Sequence, residues 1–248
     1  MTRIKFLNIE IDNLSMEESV EHIDKLIQRK TSSYVVTPNV DHIVKLEKDT
    51  EFSEVYNNAD LILTDGMPLI WISKLLKTPI KEKVSGSDLF PKVCELACKK
   101  KYSVFLLGAA EGVALKASEN LKRKYKNLNI VGTFSPSYGF EKNEDEIEKI
   151  IKIVNEAKPD ILAVGLGAPK QEKFIYKYKD KLNVPVSLAI GASIDFEAGN
   201  IERAPVWMQK IGLEWFYRFL KEPKRMFKRY FIDDMLVLKV LIKYGRVK

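Results

Sequence analysis

Asp65 is the lone carboxylate directly after an apolar run, set between Thr64 and Gly66 in Thr64-Asp65-Gly66-Met67-Pro68. A carboxyl held partly out of water titrates late and can take a proton from a hydroxyl. The same position suits an N-cap for a helix opening at Met67 or Pro68, so a base and a cap are both open readings. Asp195, in Gly191-Ala-Ser193-Ile-Asp195-Phe196, competes for the role of base, although 191–199 reads equally as a structural loop. Thr37 and Asn39, in Thr37-Pro38-Asn39-Val40-Asp41-His42, offer short hydrogen-bonding groups for a sugar or a base edge. Asn after Pro is also a common turn residue.

The strongest candidate for holding an anion is Gly165-Leu-Gly167-Ala-Pro169-Lys170-Gln171-Glu172. Gly165 and Gly167 let the backbone approach a ligand, and Pro169 suits a first helical residue. The new helix then aims its free N–H groups at whatever sits there. Lys170 and Gln171 add a cation and an amide; a tight strand-to-helix turn that needs small residues is the plainer alternative. Gly66 and Gly108 are further sites of close backbone approach. The pattern is neither G-x-G-x-x-G nor a P-loop, so a dinucleotide site or an ATPase is not supported. No D-x-D occurs to hold a metal–diphosphate complex, so leaving-group charge falls to helix N-termini and Lys/Arg. The expectation is an enzyme without metal or cofactor. With only His22 and His42, and with Cys94 and Cys98 lacking further ligands nearby, histidine-rich metal and zinc sites are excluded.

These residues need elements to position them. Strand patterns cover 3–9, 33–37, 61–64, 103–108, 129–133, 161–165 and 186–191. Helical patterns cover 16–29 (opened by a Ser15/Glu18 capping box), 41–48, 67–76, 88–100, 112–125, 144–157 and 170–178. Strands such as Val104-Phe-Leu-Leu are apolar throughout, as when both sheet faces are covered. The alternation predicts an α/β, Rossmann-like, mostly parallel sheet with helices on both faces, whose ligands lie beyond the strands' carboxyl ends. It stops at 200–205, dividing a catalytic domain, 1–199, from a helical segment, 200–248.

That last segment carries the charge. Twelve Lys/Arg against five acids in 200–248 account for the whole net charge of +7, and nine of the 25 aromatic residues lie there. A basic, aromatic end on a neutral body suits work at an anionic surface, either a membrane or a nucleic acid. Leu213, Phe216, Tyr217 and Leu220 share one helical face, with Arg218 and Lys221 toward another, before Pro223 interrupts. Packing on the body or forming a homodimer is the other use for such faces. The N-terminus is too polar for a signal peptide, and the apolar run 235–242 is far too short to span a bilayer. A cytoplasmic protein bound peripherally to the inner face of the membrane is expected.

Thr37-Pro-Asn39, Asp65-Gly-x-Pro68, Val84-x-Gly86-Ser87-Asp88, the 164–172 motif, Arg203-Ala-Pro205 and Gly212-Leu-Glu-Trp215 together resemble the WecG/TagA/CpsF glycosyltransferases. The resemblance runs from about residue 4 to residue 231. It implies an inverting transferase that moves a sugar from a UDP donor to a polyprenyl-diphosphate-linked acceptor in surface-polymer assembly. The sugar is N-acetylmannosamine in members making wall teichoic acid and its uronic acid in those making enterobacterial common antigen. The resemblance also implies Asp65 as base, substrate contacts from Thr37, Asn39 and Gln171, and a membrane-binding appendage that supplies Arg218 and Arg225. Lys83 stands where an Arg is expected, and Lys228, with Arg229 beside it, where a third appendage arginine is expected. A lipid-linked acceptor favours the membrane over nucleic acid. The rivals are a nicotinamide oxidoreductase, against which the missing glycine fingerprint counts, and a nucleic-acid-binding protein, which has no need of polar loops at six strand ends.

Overall fold

The chain opens with an antiparallel hairpin, β1 (Arg3–Phe6) and β2 (Ile9–Asp12), in the computed structural model, which describes residues 3–245 apart from the side chains of Lys210 and Arg225. The sequence pattern reads as one strand over 3–9; Leu7, at φ 53°, instead turns the chain back. Leucine rarely adopts that conformation, so nothing in the pattern announces it.

Next come α1 (Met16–Arg29), β3 (Ser33–Val36), α2 (Val40–Leu46), α3 (Thr50–Asn57), β4 (Leu61–Ile62), α4 (Met67–Leu75) and α5 (Gly86–Lys100). Both halves of the Ser15/Glu18 capping box form at the start of α1. Then follow β5 (Ser103–Gly108), α6 (Val113–Lys124), β6 (Asn129–Phe134), α7 (Glu144–Ala157), β7 (Ile161–Gly165), α8 (Lys170–Leu182), β8 (Val186–Ala189) and α9 (Ser193–Ala198). Strands β3 to β8 form one sheet of order β4-β3-β8-β7-β5-β6, every pair parallel.

Successive β5 residues feed opposite cores, as a strand's period of two requires. Phe105 and Leu107 join Ile43 of α2, Phe52 of α3, Ile150 of α7 and Ile175 of α8. Val104 and Leu106 join Ile23 of α1, Phe90 of α5, Ala117 of α6 and Ile194 of α9. With both faces covered, the carboxyl edge of the sheet is left to hold polar loops.

The remainder is helical: α10 (Val206–Lys210), α11 (Glu214–Lys221), α12 (Pro223–Lys228), a π-helical turn (Arg229–Asp233), a 3-10 turn (Asp234–Leu236) and α13 (Val237–Tyr244). It is not a detached arm. Val237 and Val240 of α13 are buried in the same core cluster as α2, and Met226 is buried too. Among the described residues no helix is long and apolar enough to cross a membrane.

Candidate active site

Beyond Ile62 the chain leaves the sheet but remains tied to its neighbours. Asp65 N–H donates to Pro38 O (2.8 Å), and Val84 N–H to Thr64 O (2.8 Å). These two bonds fix Asp65 between the loop after β3 and the loop before α5, at the floor of a cleft. Gly66, at φ 98°, is the residue that turns into α4, and no side chain caps that helix. Asp65 is therefore not its N-cap, and the sequence alternatives resolve in favour of a free carboxylate. Burial pushes its pKa up to about 6, while Lys83 and Arg218 pull it down and Glu214 and Asp88 push it up.

The cleft has two walls. The sheet domain supplies Asn39, Asp65 and Lys83, with Met67 and Pro68 of α4. The C-terminal helices supply Glu214, Trp215 and Arg218 of α11, then Arg229, Tyr230 and Asp234 from the irregular turns. A second ionic layer clamps the walls together. Asp88 receives Lys83 Nζ (2.8 Å), Ser85 Oγ (2.7 Å) and Arg203 Nη2 (2.8 Å). Burial alone would raise the Asp88 pKa, but the Lys83, Ser85 and Arg203 contacts override it and bring it to about 2. Arg203 Nη2 also lies 3.7 Å from Glu214 Oε1, and Arg218 Nη2 approaches the same oxygen at 3.7 Å. Both guanidiniums sit over the Phe196 ring, at 5.7 and 5.1 Å. Motifs more than 100 residues apart thus meet in one network, and Phe196 serves the site through its ring. Gly212, at φ 80°, seats the tail against α4: a Cβ there would lie 2.8 Å from Met67 Cγ.

The other sequence candidates divide. Asn39 lines the cleft and also N-caps α2, accepting His42 N–H (3.3 Å) while its own N–H donates to His42 Nδ1 (2.9 Å). That bond leaves the proton of a neutral His42 on Nε2, 3.8 Å from Glu172 Oε1. Burial drives His42 down to about 3 and Glu172 up to about 7. Thr37 is buried at the end of β3 and is not among the cleft-lining residues. Gln171 is buried as well: its Oε1 accepts Gly191 N–H (3.1 Å) and its amide donates to Glu172 (2.7 Å), tying α8 to the end of β8. Lys170 turns away to Glu141 (2.8 Å) and Tyr138.

Gly108 and Gly165 permit close strand packing, since a Cβ on Gly108 would lie 2.3 Å from Gly165 O and one on Gly165 would lie 2.7 Å from Gly191 O. Gly167 turns the chain at φ 75° in open space, and Pro169 is the residue before α8 rather than its first. None of these four lines the cleft, and neither does Asp195, which is half-buried and titrates above its usual range through burial. Arg225 is in α12, but its side chain lies outside those described. Lys228, the position expected for a third cation, is exposed, and Arg229 lines the cleft instead. Glu214, Tyr230 and Asp234 also line the cleft, and of these Glu214 alone carries a sequence signal, the Gly-Leu-Glu-Trp motif.

In chemical terms the cleft sets a late-titrating carboxylate beside one ammonium and two guanidiniums. That set can deprotonate a hydroxyl while neutralising phosphate oxygens. Comparison with known proteins gives the family. The chain matches the family described as "Glycosyl transferase WecG/TagA/CpsF family" over residues 4–248. It is 32% identical over 219 residues to the N-acetylglucosaminyldiphosphoundecaprenol N-acetyl-beta-D-mannosaminyltransferase of Bacillus subtilis (strain 168), covering 88% of this chain and 83% of that protein. The protein of the same name from Bacillus spizizenii is 33% identical over 207 residues (83% of this chain, 78% of that protein). The Staphylococcus aureus (strain MW2) protein of that name is 30% identical over 226 residues (90% and 87%). The family match spans residues 4–248 and relatives at 30–33% identity cover most of the chain, so the protein belongs to the WecG/TagA/CpsF family of glycosyltransferases.

Proposed function

We propose that the protein transfers N-acetylmannosamine from a UDP donor to an N-acetylglucosaminyl diphosphate carried on a polyprenol, with inversion, at the inner face of the cytoplasmic membrane. The observation that carries this reading is Asp65: a carboxylate that caps nothing, titrates near 6 and shares its cleft with Lys83 and Arg218. The names of the relatives supply the sugar, its β linkage and the lipid-linked acceptor.

Asp65 takes the proton from the attacking acceptor hydroxyl as that oxygen bonds to the anomeric carbon. The bond from that carbon to the UDP oxygen breaks on the opposite side, and the electron pair leaves with UDP. Lys83 and Arg218 offset the charge that develops there. The exposed apolar side chains Trp207, Ile211, Leu220 and Phe227, interspersed with basic residues, support work at an anionic lipid surface.

The test offers purified enzyme a panel of UDP-sugars with a short-chain lipid-diphosphate-GlcNAc acceptor. The expected product is a disaccharide formed from UDP-N-acetylmannosamine. Product from none of the UDP-N-acetylhexosamines refutes the reading.

A further inference from the structure

Among the described residues, several buried side-chain atoms lack a hydrogen-bond partner, but only Arg229 Nε and Asp234 Oδ1 belong to residues lining the cleft. Leaving such atoms unpaired is costly, and folded proteins tolerate it chiefly where something else completes the bond. A second, independent feature marks the same two residues. Arg229 opens a π-helical turn and Asp234 opens the 3-10 turn that follows, so both stand where the tail's helix is wound irregularly. Insertions of this kind re-aim side chains and recur at functional sites.

Of the other charged groups lining the cleft, Asp65 is the base proposed above and the rest are paired. Lys83 is bound to Asp88 and Arg218 approaches Glu214. Arg229 and Asp234 line the same cleft, and the Arg229 charge acts on the Asp234 carboxyl, so a donor and an acceptor stand near each other. A guanidinium beside a carboxylate matches a ligand with phosphate oxygens at one end and a hydroxyl or amide N–H close by. An N-acetylhexosamine joined to a diphosphate is such a ligand. On the function proposed above, on which this inference rests, donor and acceptor both contain that unit.

We infer that Arg229 and Asp234 form a sugar-diphosphate clamp carried by the tail, Arg229 Nε donating to a diphosphate oxygen and Asp234 Oδ1 accepting from a sugar hydroxyl or acetamido N–H. The clamp binds and orients; proton removal remains with Asp65.

The experiment measures equilibrium binding and steady-state kinetics on the full chain for Asp234→Asn, Asp234→Ala, Arg229→Lys and Arg229→Ala. The probes are UDP, UDP-N-acetylmannosamine and a short-chain lipid-diphosphate-GlcNAc. The conservative variants keep shape or charge, and an unchanged melting temperature shows that the tail remains docked. Both Asp234 variants are expected to weaken binding of one sugar diphosphate at least tenfold while leaving UDP itself unaltered. Arg229→Ala is expected to weaken the same ligand at least tenfold, with partial rescue by Arg229→Lys. A rise in KM for the donor alone or for the acceptor alone identifies which of the two the clamp holds. Wild-type affinities in folded Asp234→Ala and Arg229→Ala overturn the inference, and so does a wild type that binds neither sugar diphosphate. Binding without transfer overturns only the transferase reading.

Discussion

On the proposed role of Asp65 as the base, the demands of catalysis and of folding oppose each other at this residue. Burial raises its pKa to about 6, so between about pH 4 and 6 the folded chain keeps a proton that the unfolded chain releases. Stability from this group is present below that window and is lost as pH rises through it. Asp65→Asn removes the penalty, and a melting curve at pH 7 is expected to show a more stable protein by on the order of 1–3 kcal/mol. The same variant is expected to lose about 10²–10⁴ in kcat with both substrates saturating, because the hydroxyl proton has no acceptor. Full turnover by Asp65→Asn removes it as the base and makes Asp195 the next to test. Wild-type kcat/KM is expected to rise with pH through about 6, as the carboxylate becomes charged. Lys83 holds that titration down, so Lys83→Ala is expected to move the rising limb to higher pH, while Lys83→Arg leaves it near 6. A pH profile of kcat/KM for the two variants decides this; a limb that stays in place in Lys83→Ala removes Lys83 as the tuning charge.

The elements around this residue were largely legible in the sequence, because hydrophobic periodicity reports burial and the sheet is buried on both faces. The strands at 103–108 and 161–165 and the helices at 16–29 and 144–157 occur at the predicted bounds. Helix α3 has no counterpart among the sequence patterns although Asp49 caps it by accepting Phe52 N–H, since eight residues give a pattern little length. What the sequence could not separate was glycine that meets a ligand from glycine that meets a strand. Gly108 shows the difference: at φ 125° with Gly165 O in the place of a Cβ, Gly108→Ala is expected to destabilise by about 2 kcal/mol or more. Gly112→Ala, in open space at φ 76°, is expected to cost about 1 kcal/mol by urea denaturation. Equal losses mean that packing at the strand ends is not the reason for Gly108. The ionic layer was equally invisible, because pairing across 115 residues has no local signature. Asp88 titrates near 2, so its contribution is present above about pH 4 and is lost as pH falls toward 2. Asp88→Asn is expected to cost about 1–3 kcal/mol at pH 7 and to make 200–205 more susceptible to proteolysis. Unchanged cleavage there means that the Arg203 contact does not hold the tail.

On the scale of the whole molecule, the net charge of +7 is concentrated in 200–248, and the same segment forms one wall of the cleft. Removing it cannot separate these duties, because Met226, Val237 and Val240 leave the core along with Arg218 and Arg229. Point changes on the outer face can. Leu220 is 60% exposed and Phe227 54% exposed, and neither lines the cleft. A buried side chain of this size contributes roughly 1.5–3 kcal/mol, and each basic residue beside anionic lipid about 1 kcal/mol. On the proposed membrane docking, Leu220→Glu with Phe227→Glu inverts both contributions at once, placing two like charges against the lipid. Co-sedimentation with vesicles containing phosphatidylglycerol is expected to fall at least tenfold for the double variant. For the wild type it should weaken steeply as salt rises from about 0.1 to 0.5 M, where screening shortens the reach of surface charge. Turnover of a water-soluble, short-chain acceptor should be unchanged, since the cleft is intact, while transfer to acceptor embedded in vesicles should fall with binding. If the double variant keeps wild-type vesicle binding, or the wild type prefers nucleic acid to vesicles at equal salt, the outer face of the tail serves another surface and membrane docking must be assigned elsewhere.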